Sequence, residues 1–241
     1  MIVRSGTDIN MAVTEVGCMG VKPSFDVTND ATAEGQILTK LYNYVITAPG
    51  GPNQVYWGLE AEDPSYLWGF FDWNSIEDHE NFARTLGQEA VKDMPKILSR
   101  GFFTKHITAT PTLSTALQSR ATEIILAYFP QDISSTQRDS AIGRLQNFED
   151  DLKSLSGIQA LSYGWGVEKD FPVRGGSDDQ KASILMSFAG LDSTGAQRNL
   201  RESLAFEKLL RLMRSMEGII KLETFSVKFR SLARDTMAEK F

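Results

Sequence analysis

The chain has 241 residues, a formal net charge of −6 and 41% hydrophobic residues, enough to bury a sizeable core as one large domain or two of about 120 residues. Acids exceed bases and no block of five like charges occurs, so nucleic acid and anionic membranes, which attract concentrated Lys and Arg, are not expected partners; no apolar run approaches the roughly 18 residues of a membrane span. Cys18 is the only cysteine, which forbids an internal disulfide, and MIVRSGTDIN lacks the apolar core of a signal peptide, so a reducing cytoplasm is the expected compartment.

The first predicted element is a strand over Met11–Val21, in which Cys18 reads as inert packing. Apolar residues at helical spacing (Ile37, Leu38, Leu41, Tyr42, Val45) predict a helix over Ala31–Thr47, ended by the Pro-Gly-Gly-Pro run at 49–52. Val55–Glu60 and Tyr66–Trp73 read as two aromatic-rich strands of a hairpin; Val55–Trp73 holds three of the four tryptophans. Ser75 is placed to cap a helix on the amide of Asp78, running towards Arg100 with a break near Pro95. Phe102–Thr108 closes this half as a strand.

The second half repeats that order. Thr122-Glu123-Ile124 opens an apolar run as Thr14-Glu15-Val16 does, and Thr122–Phe129 reads as a strand. A helix over Thr136–Lys153, strands over Ala160–Glu168 and Ala182–Leu191, a helix over Ala196–Met216 and a last strand over Leu222–Phe229 follow. Each half, 1–112 and 120–241, is therefore β-α-β-β-α-β, the ferredoxin-like order, with a polar linker at Thr110–Arg120 and a charged tail or short helix after Arg230. The fold class is α+β. In the aromatic hairpin both faces of the strands carry large apolar groups, so a lone half would expose an aromatic surface; two halves facing each other bury it, as a closed barrel with a lined interior.

The stretches TEVGCMGVKP, VYWGLEAEDP and FFDWNSIEDHENF resemble the dimeric α+β barrel superfamily, in its antibiotic-biosynthesis-monooxygenase-type and stress-responsive A/B barrel branch common in fungi. The match covers the first half well and the second by element order. The resemblance implies that two tandem repeats form one pseudo-dimeric barrel, monomeric or weakly homodimeric. Its members include cofactor-free oxygenases, polyketide cyclases, isomerases and haem proteins, so the fold leaves the reaction open. The cyclase relatives carry a Tyr and a His on the helix after the third strand; Phe82 and Gln88 stand there, a departure from that aldol chemistry.

No metal or cofactor is expected. The two histidines, His79 and His106, have no partner at ligand spacing, residues 120–241 contain neither His nor Cys, and no glycine-rich phosphate loop occurs. The loop VRGGSDDQ reads as a flexible hairpin connection. His106 is the foremost acid/base candidate: Phe103 and Ile107 form the more apolar strand face, expected to pack on helices, which turns His106 into the barrel. His79 is expected half-buried against the outer sheet face. Glu15 and Glu123 are acids within apolar strands, either bases raised by burial or partners of Lys105 and Lys228. Tyr56, Trp57, Trp68, Tyr163 and Trp165 are the candidate walls of the site. The function expected is cofactor-independent cyclisation or isomerisation of a hydrophobic natural-product intermediate, polyketide- or terpenoid-like. The alternatives are a cofactor-free monooxygenase and a non-catalytic small-molecule binder.

Overall fold

The structure, a computed structural model, describes residues 12–235; the Met1–Asn10 stretch, Met11 and residues 236–241 lie outside the described residues. The first repeat runs β1 (Val13–Val21), α1 (Ala33–Thr47), β2 (Gln54–Leu59), β3 (Tyr66–Trp73), α2 (Ile76–Phe82), a π turn over Ala83–Gly87, α3 (Gln88–Val91), α4 (Met94–Ile97) and β4 (Leu98–Thr110). A short α5 (Ser114–Leu117) leads into the second: β5 (Ala121–Phe129), α6 (Ser135–Gln146), α7 (Glu149–Lys153), β6 (Ile158–Gly166), β7 (Phe171–Pro172), β8 (Lys181–Leu191), α8 (Thr194–Glu202), α9 (Leu204–Arg214), β9 (Lys221–Val227) and β10 (Arg230–Ala233).

Capping chemistry fixes where helices begin. The Ser75 hydroxyl accepts the Asp78 amide at 3.0 Å, as its sequence position predicts, and Thr32 does the same for Gly35. The helix expected over 196–216 is two, because the Ser203 hydroxyl accepts the Phe206 amide at 3.1 Å and starts α9 afresh. Likewise the helix expected over 136–153 breaks at Asn147 and Phe148. Arg230–Ala233, expected as tail or helix, is a strand.

The sheet order β10-β2-β3-β1-β4-β6-β8-β5-β9 joins the repeats twice. The end of β4 pairs with β6, and β10, which follows β9 after Lys228 and Phe229, pairs with β2. A bridge between Glu60 and Val227 completes the ring. At each seam a glycine lets backbones touch: a Cβ at Gly164 would lie 2.0 Å from the Thr108 carbonyl oxygen, and one at Gly58 would lie 2.5 Å from that of Lys228.

Side-chain alternation sorts the sheet into an inner and an outer face. Val16, Cys18, Tyr56, Trp68, Phe70, Ile124, Met186 and Phe225 meet inside the barrel as a fully buried core. The expected lined chamber is filled at the α5 end and stays open as a cavity at the opposite mouth. Leu113, Ala116 and Leu117 are also buried in it, so the segment between repeats is a plug for one end and not merely a polar linker. On the outer face α1 to α4 cover the first repeat and α6 to α9 the second, each with its own apolar layer. Among the described residues no helix is long and apolar enough to cross a membrane.

Candidate functional site

One open space with polar groups lies outside the barrel, between the first repeat's sheet and its helices. It is a cavity of about 370 Å³, walled by Leu41, Tyr42, Phe71, Trp73, Phe82 and Met94 among others. Its local cause is legible in β1 and β3: Gly17 and Gly69 pair in register on the outer face and put no side chain there. The π turn, with Ala83 and Gly87 at the cavity, forms part of its roof.

Glu15, next outward-facing residue on β1, reaches this cavity at 9% exposure. It accepts a hydrogen bond from Trp73 Nε1 at 2.9 Å, and His79 Nε2 lies 3.3 Å from its Oε2. His79 Nδ1 meets His106 Nε2 at 2.8 Å. His106 Nδ1 meets Glu168 Oε1 at 2.6 Å, and the His106 amide donates to Glu168 Oε2 at 2.8 Å. The side chains form one chain of contacts, Trp73–Glu15–His79–His106–Glu168, from an apolar cavity to a carboxylate that is 30% exposed.

Burial raises the Glu15 carboxyl to about 7, against the downward pull of the Trp73 hydrogen bond and of His106. Burial, reinforced by His106, pushes the His79 imidazole down to about 4, so it is neutral at physiological pH. Partial burial works against the Glu168 carboxylate, but the hydrogen bonds from the His106 ring and amide outweigh it and hold its pKa below the usual value. Tyr42 is 1% exposed, lines the cavity, and its hydroxyl has no hydrogen-bond partner. A buried unpaired hydroxyl is costly unless a ligand completes it.

The second repeat carries the same positions with different chemistry. Glu123 corresponds to Glu15, Gln197 to His79, each four residues past the Ser that caps its helix, and Ser226 to His106. Glu62 holds the Ser226 amide at 2.9 Å as Glu168 holds that of His106. Here Glu123 is clamped by Arg201, whose Nε lies 2.9 and 3.0 Å from its two oxygens. Ile125 and Ser187 occupy the places of Gly17 and Gly69, and the cavity shrinks to about 40 Å³. Only one of the two related sites is both open and supplied with histidine.

Several sequence expectations change. His106 does not point into the barrel: it pairs with Glu15 in register, on the outer face. Phe103 packs on the inner core and Ile107 is buried in it, because the barrel interior, not the helix layer, is the drier side of β4. The five candidate wall aromatics do not surround one chamber. Tyr56 and Trp68 lie inside the barrel, Trp57 under the first repeat's helices, and Tyr163 and Trp165 under the second's; none lines the 370 Å³ cavity. Lys105 pairs with Asp170 at 2.6 Å, and Arg201, not a lysine, answers Glu123. Phe82 and Gln88 both line the cavity. Tyr42, Trp73 and Glu168 carry no site signal in the sequence; the Ser75 cap, which fixes where His79 falls on its helix, is the one local clue that joins His79 to this cavity.

Among the described residues no group of three or more His, Cys, Asp or Glu side chains is arranged to hold a metal ion. No family model and no curated protein matches the sequence. Among solved structures, an anthrone oxidase-like protein superposes with a TM-score of 0.64 at 14% identity, covering 92% of this chain and 93% of that one. A candidate monooxygenase from Fusobacterium nucleatum gives 0.62 at 11% identity, covering 93% and 95%. Another, from Lactobacillus acidophilus, gives 0.56 at 8% identity, covering 93% and 97%. At these identities the likeness is one of fold: an α+β architecture of two tandem ferredoxin-like repeats sharing one curled antiparallel sheet.

Proposed function

We propose that the Glu15 cavity is the active site of a cofactor-independent oxygenase acting on a flat, hydrophobic carbon acid. The observation that carries this reading is a carboxyl poised near neutrality beside a neutral imidazole, inside an otherwise apolar cavity. The anthrone oxidase-like neighbour suggests the substrate class: a polycyclic aromatic ketone with an acidic methylene.

In such a reaction Glu15 takes the methylene proton. The aromatic system spreads the resulting charge, and the unpaired Tyr42 hydroxyl is available to donate to the substrate oxygen that receives it. The proton on Glu15 can move outward by a shift along the chain of contacts. Glu15 passes its proton to His79 Nε2, His79 Nδ1 passes one to His106 Nε2, and His106 then donates to the ionised Glu168 with both ring nitrogens engaged. The substrate carbanion gives an electron to oxygen, and recombination forms a carbon–oxygen bond. Protonation yields a hydroperoxide, and loss of the second methylene proton with hydroxide gives a ketone and one water. The methylene is oxidised, one oxygen atom enters the product and the other leaves as water.

Without oxygen capture, the same carbanion attacks an internal carbonyl or is reprotonated elsewhere, giving the cyclisation or isomerisation expected from sequence. Oxygen uptake with anthrone, in buffer containing a chelator and no added flavin, separates these outcomes. The oxygenase reading expects uptake matched by anthraquinone and abolished in Glu15→Gln. Turnover without uptake supports a cyclase or isomerase, and tight binding without turnover supports a non-catalytic binder.

A further inference from the structure

On the inner side of the sheet a second cavity, about 460 Å³, opens at the barrel mouth opposite the α5 plug. Both repeats build it. Trp68 and Phe103 come from the first and Tyr128 from the second, and the loop after β7 borders the opening. Its rim is cationic: Arg100 at the start of β4, Arg174 in the loop and Lys181 at the start of β8, against one lining carboxylate, Asp178.

The rim is also divided in its duties. Arg174 grips buried Glu60 with two hydrogen bonds of 2.7 and 2.8 Å and lies 3.9 Å over the Tyr66 ring. Lys221 Nζ donates to the Arg174 carbonyl, so the loop is pinned over the mouth. Arg174 therefore spends its charge on the fold. Arg100 lies 4.3 Å over the Phe102 ring, and Lys181 stands near the exposed Asp179 carboxylate, which a hydrogen bond from Ser177 and the charge of Lys181 help hold below its usual pKa; neither cation forms a salt bridge among the described residues. Two cations free of a direct ion pair thus stand at the entrance of an aromatic throat whose volume is ordinary for a small-molecule site, roughly 300–1,000 Å³.

We infer that the barrel mouth is a second ligand site, separate from the Glu15 cavity, for a planar aromatic anion: rings between Trp68, Phe103 and Tyr128, and an acidic group against Arg100 and Lys181. Stacking supplies the apolar contact and the paired cations select a carboxylate or sulfonate over a neutral ring. The site lies across the sheet from Glu15 and shares no lining residue with that cavity, so Glu15→Gln leaves its walls in place.

The test titrates the whole chain with 2-naphthoate, by calorimetry and by the indole N–H resonances, assigned by single Trp→Phe replacements. Trp68 reports the barrel mouth and Trp73 the Glu15 cavity. The expected result is saturable binding that moves the Trp68 indole, unchanged in Glu15→Gln. Arg100→Glu/Lys181→Glu should weaken it tenfold or more, and 2-naphthalenemethanol should bind at least tenfold more weakly than the acid. Both rim residues are exposed; should the reversed pair fail to fold, Arg100→Gln/Lys181→Gln makes the same comparison. Absence of saturable binding, a shift confined to Trp73, or equal affinity in the rim variant overturns the inference.

Discussion

The His106 ring and the Glu168 carboxylate meet at 2.6 Å across the seam between the two repeats. The chain of contacts that begins at Glu15 in one repeat is therefore completed by a side chain of the other, through the register that pairs Ile107 with Gly166. Glu168 does not line the cavity, so it acts as a positioning residue. Glu168→Gln should lower kcat about tenfold, the worth of one charge-assisted hydrogen bond of roughly 1.5 kcal/mol, with KM unchanged. Steady-state kinetics on the variant, with Glu168→Asp as the partial rescue, checks this; a rise in KM alone contradicts it.

Glu15 also leaves a mark on stability. Its folded pKa is about 7 and its ordinary value 4.5, so between these the folded chain holds more protons than the unfolded one. By linkage this group's contribution to stability falls as pH rises from about 4.5 through about 7 and levels off beyond those values. Glu15→Gln removes the penalty of burying the charge. Relative to wild type, the variant should gain stability from pH 5 to pH 8, by on the order of 2–3 kcal/mol. Urea unfolding of both proteins at the two pH values measures it, and an unchanged difference rejects the assignment.

Arg174 at the barrel mouth pairs with Glu60 at 2.7 Å and, more loosely, with Glu223 at 3.5 Å. Glu60 is 1% exposed and takes hydrogen bonds from Arg174 and, at 2.7 Å, from Trp68 Nε1. Arg174→Ala strands that carboxylate, at a cost of about 3 kcal/mol, the lower end for a broken buried pair because Arg174 is itself 23% exposed. Adding Glu60→Gln should recover much of the loss, because an amide tolerates burial without a counter-ion. Denaturant midpoints of the single and double variants decide the matter; additive losses would rule out the pair as the cause.

Two like-built halves were legible because Thr14-Glu15-Val16 and Thr122-Glu123-Ile124 begin runs of equal pattern, and helix caps such as Ser75 are local chemistry. Which way His106 faces was not legible. Its strand has apolar residues on one side, and alternation alone does not say whether that side meets helices or a second sheet. The register of β1 against β4 decides it. The contrast between the two pockets was equally hidden, since it rests on which side chains oppose Gly17 and Ile125 across strands distant in sequence. Glu168 could be found only once the seam between repeats was known, because it lies 62 residues from its partner.

The most direct test of Glu15 as the base uses anthrone under anaerobic conditions in D₂O, where exchange of the methylene hydrogens isolates proton abstraction from everything that follows. The wild-type chain should catalyse exchange with a rate that rises with pH through about 7, as Glu15 loses its proton. Glu15→Gln should lose about 10²- to 10⁴-fold of that rate while still binding the ligand. Exchange at the wild-type rate in Glu15→Gln, or a rate that falls as pH rises through 7, would contradict the account.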